Sequence, residues 1–325
     1  MNVLCTLPMH PAGIALLAGH ADITVMPDTS GDAFARLLPH ADFLVVRTKL
    51  PSGVFVHGDR LKGVIRHGTG LDFIPVAEAS VLGIPVANVP GANAQAVAEY
   101  CISSMLSLAR GVDRIGRCFR ERGWEAGRRL TAGAAEIAGK TVGIIGLGTV
   151  GQKLARLCHF GFDMRVLGHQ PTYAGVPDYI VPATLEALLG ESDFVVLCCP
   201  LTDQTKGLLN AERLGRMRAE AVLVNAARGP IVDEEALMDA LRARRIKGAA
   251  LDVYGQQPLA SDHALLDVDN ALLTPHIAGL TEESTASMSI GTARQILQLM
   301  RGDRPDHLVN PDIWERRRKM AETLA

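Results

Sequence analysis

The chain has 325 residues, of which 48% are hydrophobic, and its formal net charge is −2 at pH 7. This length predicts two domains, and the near-zero charge without a basic face argues against a nucleic-acid partner. The first residues do not resemble a signal peptide, and no apolar stretch reaches the ~18 residues that a membrane span needs. The 6 cysteines lack CxxC spacing, so we expect reduced, buried thiols, no metal site and a cytoplasmic location.

Strand-like and helical segments alternate through the first part of the chain. Strand patterns occur in NVLCTL, ITVMP, DFLVVRT, GVIRHG and PVANVP, with helical patterns such as PAGIALLAG and GDAFARLLPH between them. This alternation predicts a parallel sheet that is covered by helices on both faces. One long helix is predicted from Ala94 to about Arg122, and a polar, glycine-bearing stretch follows at 123–139.

A second alternation begins after this stretch. Its strand patterns are TVGIIG, MRVLGH, DFVVLCCP, AVLVNAA, GAALDVY and ALLTPH. Parallel strands with crossover helices predict a doubly wound sheet of the dinucleotide-binding kind. A further helix is predicted at about 282–301, and the RRRK run at 316–319 is expected to be a solvated helix end. We expect ligands to bind in a cleft between the two halves of the chain.

A glycine-rich loop follows the first strand of the second alternation. Gly146, Gly148 and Gly151 have GxGxxG spacing and stand between an apolar strand and an amphipathic helix. The first glycine permits a tight turn, the second lets the backbone approach a pyrophosphate, and the third lets the helix pack closely on the strand. The N–H groups at the start of the helix would face the phosphates. This context predicts a dinucleotide cofactor.

The choice between NAD and NADP stays open from the sequence. The strand after the glycine loop would normally end in an acid that binds the adenosine ribose. Here it ends in His169 and Gln170, so no carboxylate is present to repel a 2′-phosphate. His169 either pairs with that phosphate or is an exposed histidine at the end of a strand, and Gln170 can hydrogen-bond to either cofactor.

Two polar residues follow later strands of the second alternation. Arg228 stands at the carboxyl end of a strand, where it would either bind a carboxylate bidentately or form an interdomain salt bridge. His276, taken alone, is compatible with a hydrogen-bonded core histidine as well as with proton transfer. Arg47, at the end of FLVVRT, is either a site for a second anionic group of a ligand or a surface arginine.

An ordered set of motifs resembles the D-isomer-specific 2-hydroxyacid dehydrogenase family, especially its phosphoglycerate dehydrogenase-like and hydroxypyruvate reductase-like members. The motifs are NAQAVAEY, VGIIGLGTVG, CPLTDQT, VNAARGPIVDEEAL, AALDVY and TPHIAGLTEES. The resemblance implies a Rossmann cofactor domain, residues 99–285, inserted in a flavodoxin-like substrate domain, residues 1–98 plus 286–325. It also implies a homodimer that acts on a small anionic 2-hydroxy or 2-oxo acid with NAD or NADP.

The resemblance also assigns roles to individual residues. Arg228 would bind and polarise the substrate, and His276 would be its acid or base. The backbone at Gly68, Thr69 and Gly70 would bind the substrate carboxylate. Asn93 would lie in a hinge region, and Cys199 replaces a histidine that is common in the family. The implied cofactor contacts are Gly146, Gly148, Thr149, Val150, His169, Gln170, Cys199, Pro200, Thr205, Ala226, Ala227, Asp252 and Gly279.

One position departs from the family pattern. The glutamate that usually orients the catalytic histidine is Gln257 in this chain, and the next acid, Asp262, aligns with an outer loop. An amide oxygen can accept the imidazole N–H and fix its orientation, but it lacks the charge that favours protonated histidine. Formate dehydrogenases, distant relatives within the superfamily, also pair glutamine with this histidine and move a hydride without proton transfer to the substrate.

Three functions therefore remain as hypotheses. The first is NAD(P)-dependent hydride transfer to or from a small 2-hydroxy or 2-oxo acid. The second is formate-type hydride transfer without proton transfer. The third is a dinucleotide-sensing protein related to transcriptional corepressors, which the presence of both Arg228 and His276 disfavours. Because the chain ends soon after the helix predicted at about 282–301, we expect no separate regulatory domain.

Overall fold

The computed structural model describes residues 1–318. Its strands are β1 (Asn2–Cys5), β2 (Asp22–Val25), β3 (Phe43–Val46), β4 (Gly63–Arg66), β5 (Val86–Ala87), β6 (Thr141–Ile145), β7 (Arg165–His169), β8 (Ile180–Pro182), β9 (Phe194–Leu197), β10 (Val222–Asn225), β11 (Gly248–Leu251) and β12 (Ala271–Leu273). Its α-helices are α1 (Pro11–Leu17), α2 (Gly31–Leu37), α3 (Val76–Val81), α4 (Ala94–Arg110), α5 (Val112–Arg122), α6 (Trp124–Arg129), α7 (Thr149–Phe162), α8 (Leu185–Glu191), α9 (Ala211–Leu214), α10 (Glu234–Arg242) and α11 (Glu282–Met300).

The chain divides into two compact units. The first comprises Met1–Asn93 together with the residues from Leu280 onward, and the second is Ala94–Gly279. The predicted boundaries, 98/99 and 285/286, lie inside α4 and α11, whereas the units divide in the loops just before these helices. Residues 319–325 of the predicted substrate domain, including the last residue of the RRRK run, lie outside the described residues.

The first unit is built on a five-stranded parallel sheet with the strand order β2-β1-β3-β4-β5. This is the strand order of a flavodoxin-like sheet, as the family resemblance implies, and each of the predicted strand runs overlaps a strand of the structure. The fully buried strand β3 serves both faces of the sheet. Phe43 and Val45 pack in the core with Leu17 of α1 and Ile296 of α11, and the intervening residues pack in a second core on the other face.

The second unit is built on a seven-stranded parallel sheet with the order β12-β11-β10-β9-β6-β7-β8. The predicted doubly wound sheet is confirmed, but β8 is an additional strand that the sequence reasoning missed. It has only 3 residues, lies at the edge of the sheet and ends in Pro182, so its sequence carries almost no strand pattern. The strand order reverses between β6 and β9, and ligands of such sheets bind beyond the carboxyl ends of the strands at this point.

The long helix predicted before the second sheet is interrupted. Gly111 has a φ of 63°, in the left-handed region that glycine adopts readily, and it separates α4 from α5. The polar, glycine-bearing stretch at 123–139 contains α6, which begins at Trp124. Within residues 1–318, no helix combines the length and the apolar character that crossing a membrane requires.

Candidate active site

The three glycines after β6 have different surroundings. Gly146 has a φ of 96°, and a Cβ there would lie 2.5 Å from the backbone nitrogen of Cys199 in the loop after β9. A Cβ on Gly151 would lie 2.1 Å from the carbonyl oxygen of Gly146, so α7 packs directly on the loop. A Cβ on Gly148 would meet no atom within 4 Å. Two glycines are therefore required by packing, and the third leaves the backbone open to a ligand.

The start of α7 offers donors to an anion. Gly148 is the N-cap residue and provides no side-chain acceptor, and the first helical bond runs from the Gln152 N–H to the Gly148 carbonyl, 2.9 Å away. The N–H groups of the first turn, including those of Thr149 and Val150, have no acceptor within the helix. No atom covers Gly148, and these N–H groups have no acceptor within the helix. The loop therefore fits the pyrophosphate of a dinucleotide.

The end of β7 is tied to the glycine loop. His169 Nδ1 donates to the Ala183 carbonyl at 3.0 Å, since a carbonyl oxygen can only accept. Gln170 Oε1 accepts the N–H of Leu147 at 3.1 Å, and its amide nitrogen donates to the Thr172 carbonyl. Gln170 therefore shapes the glycine loop, a role that its place in the cofactor motif did not indicate. Its contact with the ribose stays a prediction.

The loop after β9 is fixed by its own hydrogen bonds. Cys199 is buried against Gly146, and this burial raises the pKa of its thiol to about 11. The Thr205 hydroxyl accepts the N–H of Thr202 at 2.7 Å and donates to the Pro200 carbonyl at 2.7 Å. The predicted cofactor contact at Thr205 is thus a residue whose hydroxyl stabilises the turn beside the glycine loop.

A buried asparagine positions Arg228. Asn225, the last residue of β10, is 1% exposed; its amide nitrogen donates to the Arg228 carbonyl at 2.9 Å and its oxygen accepts the Ala227 N–H at 3.1 Å. These bonds form the turn that carries Ala226 and Ala227. The half-buried Arg228 guanidinium donates to the Ala227 carbonyl at 2.7 Å. A Cβ on Gly229 would lie 2.0 Å from the Tyr254 carbonyl, so this turn contacts the chain beyond β11.

His276 has a strained backbone and an amide partner. Its φ is 57°, a left-handed conformation that costs about 1–3 kcal/mol for a residue with a side chain. Its Nδ1 lies 2.8 Å from Gln257 Oε1, which can only accept, so the proton on this side of the ring belongs to Nδ1. The amide thus orients the imidazole as the sequence reasoning anticipated, without supplying a negative charge.

Asp252 stabilises the His276 loop through hydrogen bonds. The carboxylate is 1% exposed and accepts three hydrogen bonds: from the Thr274 hydroxyl at 2.7 Å, the Ile277 N–H at 2.7 Å and the Ala278 N–H at 2.8 Å. The Tyr100 hydroxyl bonds to Thr274 at 2.7 Å, which extends this network to α4. Asp252 therefore stabilises the conformation of His276, and its direct contact with a cofactor stays a prediction, like that of Gly279.

The first unit carries the other predicted substrate residues. Gly68 has a φ of 133°, and its N–H is already donated to the Arg66 carbonyl at 2.9 Å. Within residues 1–318, the N–H groups of Thr69 and Gly70 have no hydrogen-bond acceptor, so two of the three predicted donors remain for an anion. Arg66 supports this loop from behind, with guanidinium bonds to the carbonyls of Gly70 at 3.0 Å and His67 at 3.1 Å.

Arg47 and His67 lie beside this loop. The Arg47 guanidinium donates to the Pro8 carbonyl, and burial lowers its pKa. His67 is 3% exposed, and burial, aided by the charges of Arg47 and Arg66, lowers its pKa to about 3. The Ser289 hydroxyl accepts the His10 N–H at 2.9 Å and lies within hydrogen-bond distance, 2.7 Å, of His67 Nε2. His67 is therefore a neutral, structural histidine.

Some supporting residues were missed by the sequence reasoning. Asn225 carries a signal in retrospect, because a polar residue ends an otherwise apolar strand, VLVN. Arg66 and Tyr254 carry no such signal, since the Arg66 side chain bonds to backbone carbonyls, which every residue has, and Tyr254 contacts Gly229 through its own backbone. The structure contains 6 free cysteines, and no group of three or more potential ligands within residues 1–318 is arranged to hold a metal ion.

Comparisons with known proteins give similar sequences over most of the chain. Residues 102–278 match the family model described as "D-isomer specific 2-hydroxyacid dehydrogenase, NAD binding domain". The chain is 37% identical to the glyoxylate reductase of Pyrococcus furiosus over 96% of each chain. It is 34% identical to the D-3-phosphoglycerate dehydrogenase of Synechocystis over 99% of its own length but only 60% of that enzyme's length.

A solved structure shows the same architecture. It is the NADPH-dependent glyoxylate/hydroxypyruvate reductase of Sinorhizobium meliloti in complex with NADP and malonate. The TM-score is 0.85 with 25% identity, and the match covers 98% of this chain and 99% of that one. The family model covers the glycine loop and the turns that carry Arg228 and His276, and the glyoxylate reductase matches over nearly the whole length. The chain therefore belongs to the D-isomer specific 2-hydroxyacid dehydrogenase family.

Proposed function

We propose that the protein transfers a hydride between a nicotinamide dinucleotide and a small 2-oxo or 2-hydroxy acid. The observation that carries this proposal is the 2.8 Å contact between His276 Nδ1 and Gln257 Oε1, on a loop that Asp252 holds in a strained conformation. A strained residue that is stabilised by a buried carboxylate indicates a functional position rather than an ordinary core histidine. The relatives reported above reduce glyoxylate or hydroxypyruvate, or oxidise phosphoglycerate, according to their names.

In this proposal, residues of the second unit transfer the proton and bind the substrate carboxylate. The cofactor supplies or accepts the hydride. Because Nδ1 of His276 donates to Gln257, Nε2 is the ring nitrogen that gives a proton to the substrate oxygen during reduction and takes it back during oxidation. Arg228 binds the carboxylate and polarises the adjacent carbonyl through its planar pair of N–H donors.

Residues of the first unit would recognise the anionic end of the substrate. The N–H groups of Thr69 and Gly70 are donors without an acceptor within residues 1–318, as carboxylate binding by these two groups would require, whereas the Gly68 N–H is already donated to the Arg66 carbonyl. Arg47 would contact a second anionic group, such as a phosphate. A substrate with two anionic groups would then lose more affinity than a substrate with one when Arg47 is replaced by Ala.

A substrate panel tests the proposal. The purified protein is mixed with NADH or NADPH and with glyoxylate, hydroxypyruvate or longer 2-oxo acids, and the absorbance of the reduced cofactor is followed. We expect turnover with at least one 2-oxo acid and its loss in His276→Ala. Oxidation of formate with NAD or NADP but no reduction of any 2-oxo acid would favour the formate-type alternative. Tight cofactor binding without turnover of any kind would favour a dinucleotide sensor.

Cofactor preference is proposed to be weak. The end of β7 provides His169 and Gln170 and no carboxylate, so nothing at this position repels a 2′-phosphate. We expect kcat/KM for NADH and NADPH to differ by less than about 100-fold, which is less than about 2.7 kcal/mol of discrimination. A preference of several thousand-fold for either cofactor would show that another residue discriminates between them.

The protein is also proposed to be a cytoplasmic homodimer. Free, mostly buried thiols fit a reducing compartment. Val112, Phe119 and Trp124 on α5 and α6 are 59%, 49% and 63% exposed, and a hollow of about 630 Å³ beside Val112 is lined by both apolar and polar residues of α4, α5 and α7. Such an exposed apolar surface is typical of a protein–protein interface. We expect Trp124→Glu to yield monomers in light scattering, whereas Val81→Glu, at another exposed apolar position, leaves a dimer.

A further inference from the structure

One carboxylate contacts both ends of the loop that carries Gln257. Glu234, the first residue of α10, accepts the Gly255 N–H with Oε2 at 3.1 Å. Its other oxygen, Oε1, lies 3.2 Å from Nε2 of His263. Gly255 and His263 are the two ends of the segment 255–263. We call Glu234, Gly255 and His263 the Glu234 clasp.

The ring proton of His263 is on the nitrogen that faces Glu234. His263 Nδ1 accepts the N–H of Leu265 at 3.2 Å, so this nitrogen carries no proton. Nε2 therefore carries it and donates to Glu234. Leu265 is fully buried, which fixes this end of the segment to the core of the second unit. Glu234 and His263 are 26% and 28% exposed, so their contact is partly shielded from water.

The segment between the two ends has few other anchors. Gly255, Gln256, Gln257 and Pro258 are all exposed, and only Leu259 packs partly against the core. Gln257 nevertheless must present its oxygen to His276 within hydrogen-bond distance. An exposed segment with one partly buried side chain does not hold a long polar side chain in one place by packing. The two contacts to Glu234 provide the missing restraint.

The clasp also connects this segment to the turn of Arg228. Glu234 follows Arg228 closely in the chain, and Gly229 between them packs directly on the Tyr254 carbonyl, next to Gly255. The connection between β10 and α10 therefore contacts the start of the segment 255–263 at two points. One contact is made by Gly229 and the other by Glu234, the first residue of α10. The positions of Arg228 and of the Gln257–His276 pair are thereby set by one set of contacts.

We propose that Glu234 is a positioning residue for the reaction, acting through Gln257 on His276. This inference rests on the proposed function for its kinetic consequences, although its structural consequence does not need turnover. A displacement of about 1 Å at a reacting group can cost on the order of 100-fold in rate. Loss of the clasp is therefore expected to lower kcat while cofactor binding, which depends on the glycine loop, is retained.

The kinetic test compares neighbouring carboxylates. Glu234→Ala and Glu235→Ala each remove one negative charge from the first turn of α10, but Glu235 is exposed and lies outside the clasp. We expect Glu234→Ala to lower kcat at least about 10-fold with the cofactor Kd within about twofold, and Glu235→Ala to change neither. Glu234→Gln keeps one acceptor oxygen for the Gly255 N–H, so it should recover part of the loss.

A mutant cycle separates positioning from general support of the fold. If Glu234 acts through Gln257, Glu234→Ala should cost less than about twofold in kcat when Gln257 is already Ala. The same loss in both backgrounds, or equal effects of the Glu234 and Glu235 replacements, would overturn the proposal. Should Glu234→Ala not fold, the Glu234→Gln variant is compared in the two backgrounds with the same criteria.

A second readout needs no activity. Imidazole ¹⁵N spectra report which ring nitrogen of His276 carries the proton, and hydrogen exchange reports the Gly255 amide. We expect Glu234→Ala to speed exchange at Gly255 and to replace the single Nδ1–H form of His276 by a mixture of forms. An unchanged His276 spectrum would overturn the inference. Absence of turnover in the wild-type protein would instead refute the proposed function, and these spectra would still decide on the clasp.

Discussion

Asp252 offers the clearest link between a buried group and the strained loop of His276. Its carboxylate accepts the Thr274 hydroxyl and the N–H groups of Ile277 and Ala278, and hydrogen bonds to a charged group contribute about 1.5–3 kcal/mol each. Asp252→Ala would remove all three bonds and leave two backbone donors without an acceptor. The expected loss in the free energy of unfolding is about 3–5 kcal/mol, since the surrounding loop relaxes and recovers part of the sum.

Asp252→Asn tests the same network more gently. Its amide keeps one acceptor oxygen but turns an NH₂ group toward a backbone donor, so we expect a loss of about 1–3 kcal/mol. In both variants the His276 loop should leave its left-handed conformation, and kcat should fall at least about 10-fold. Urea unfolding and steady-state kinetics measure these effects, with Asp262→Asn as the control because Asp262 is exposed. Wild-type stability and kcat in Asp252→Asn would refute this reasoning.

Three further predictions concern other parts of the two units. Arg228→Lys should lower kcat/KM by roughly 30- to 1,000-fold, or about 2–4 kcal/mol, because lysine cannot bind a carboxylate bidentately; unchanged kinetics would remove Arg228 from the site. Gln170→Asp should reduce kcat/KM for NADPH at least about 10-fold more than that for NADH, because the new carboxylate would repel a 2′-phosphate, and equal effects would contradict this. His67 is buried with its pKa lowered to about 3, so the unfolded chain binds a proton that the folded chain does not, and stability should fall as pH falls below about 6.5. His67→Asn should reduce the difference in unfolding free energy between pH 7 and pH 5 by about 1–2 kcal/mol, whereas the exposed His20→Asn should not.

The sequence was most informative where local pattern and topology agree. Apolar runs such as FLVV and FVVL are buried on both sides, and this is what a central parallel strand requires, so their placement followed directly from the pattern. The edge strand β8 and the break at Gly111 were missed for opposite reasons. β8 is too short to show a pattern, and a single glycine within a good helical periodicity does not reveal that its backbone is left-handed.

In the candidate site, too, the sequence revealed features that depend on neighbouring residues and missed those that depend on the fold. The spacing of Gly146, Gly148 and Gly151 and the presence of Gln257 were visible in the sequence, because each depends on neighbours along the chain. The support of Asp252 for the His276 loop and the contacts of Glu234 were not, because they join residues that only the folded sheet brings together. Asp252 in particular was predicted to contact the cofactor. Its three hydrogen bonds show that it also stabilises the His276 loop, which could not be inferred from the motif alone.

In the proposed function, His276 still exchanges a proton with the substrate although its partner is an amide. The most direct test is the pH dependence of kcat/KM for reduction of a 2-oxo acid, from about pH 5 to 9, in the wild-type protein and in Gln257→Glu. Reduction needs the protonated imidazole, so the rate should fall as pH rises, and a carboxylate at position 257 should favour the protonated form. We predict that the descending limb moves upward by about one pH unit or more in the variant. Identical profiles in the two proteins would contradict the coupling of Gln257 to His276.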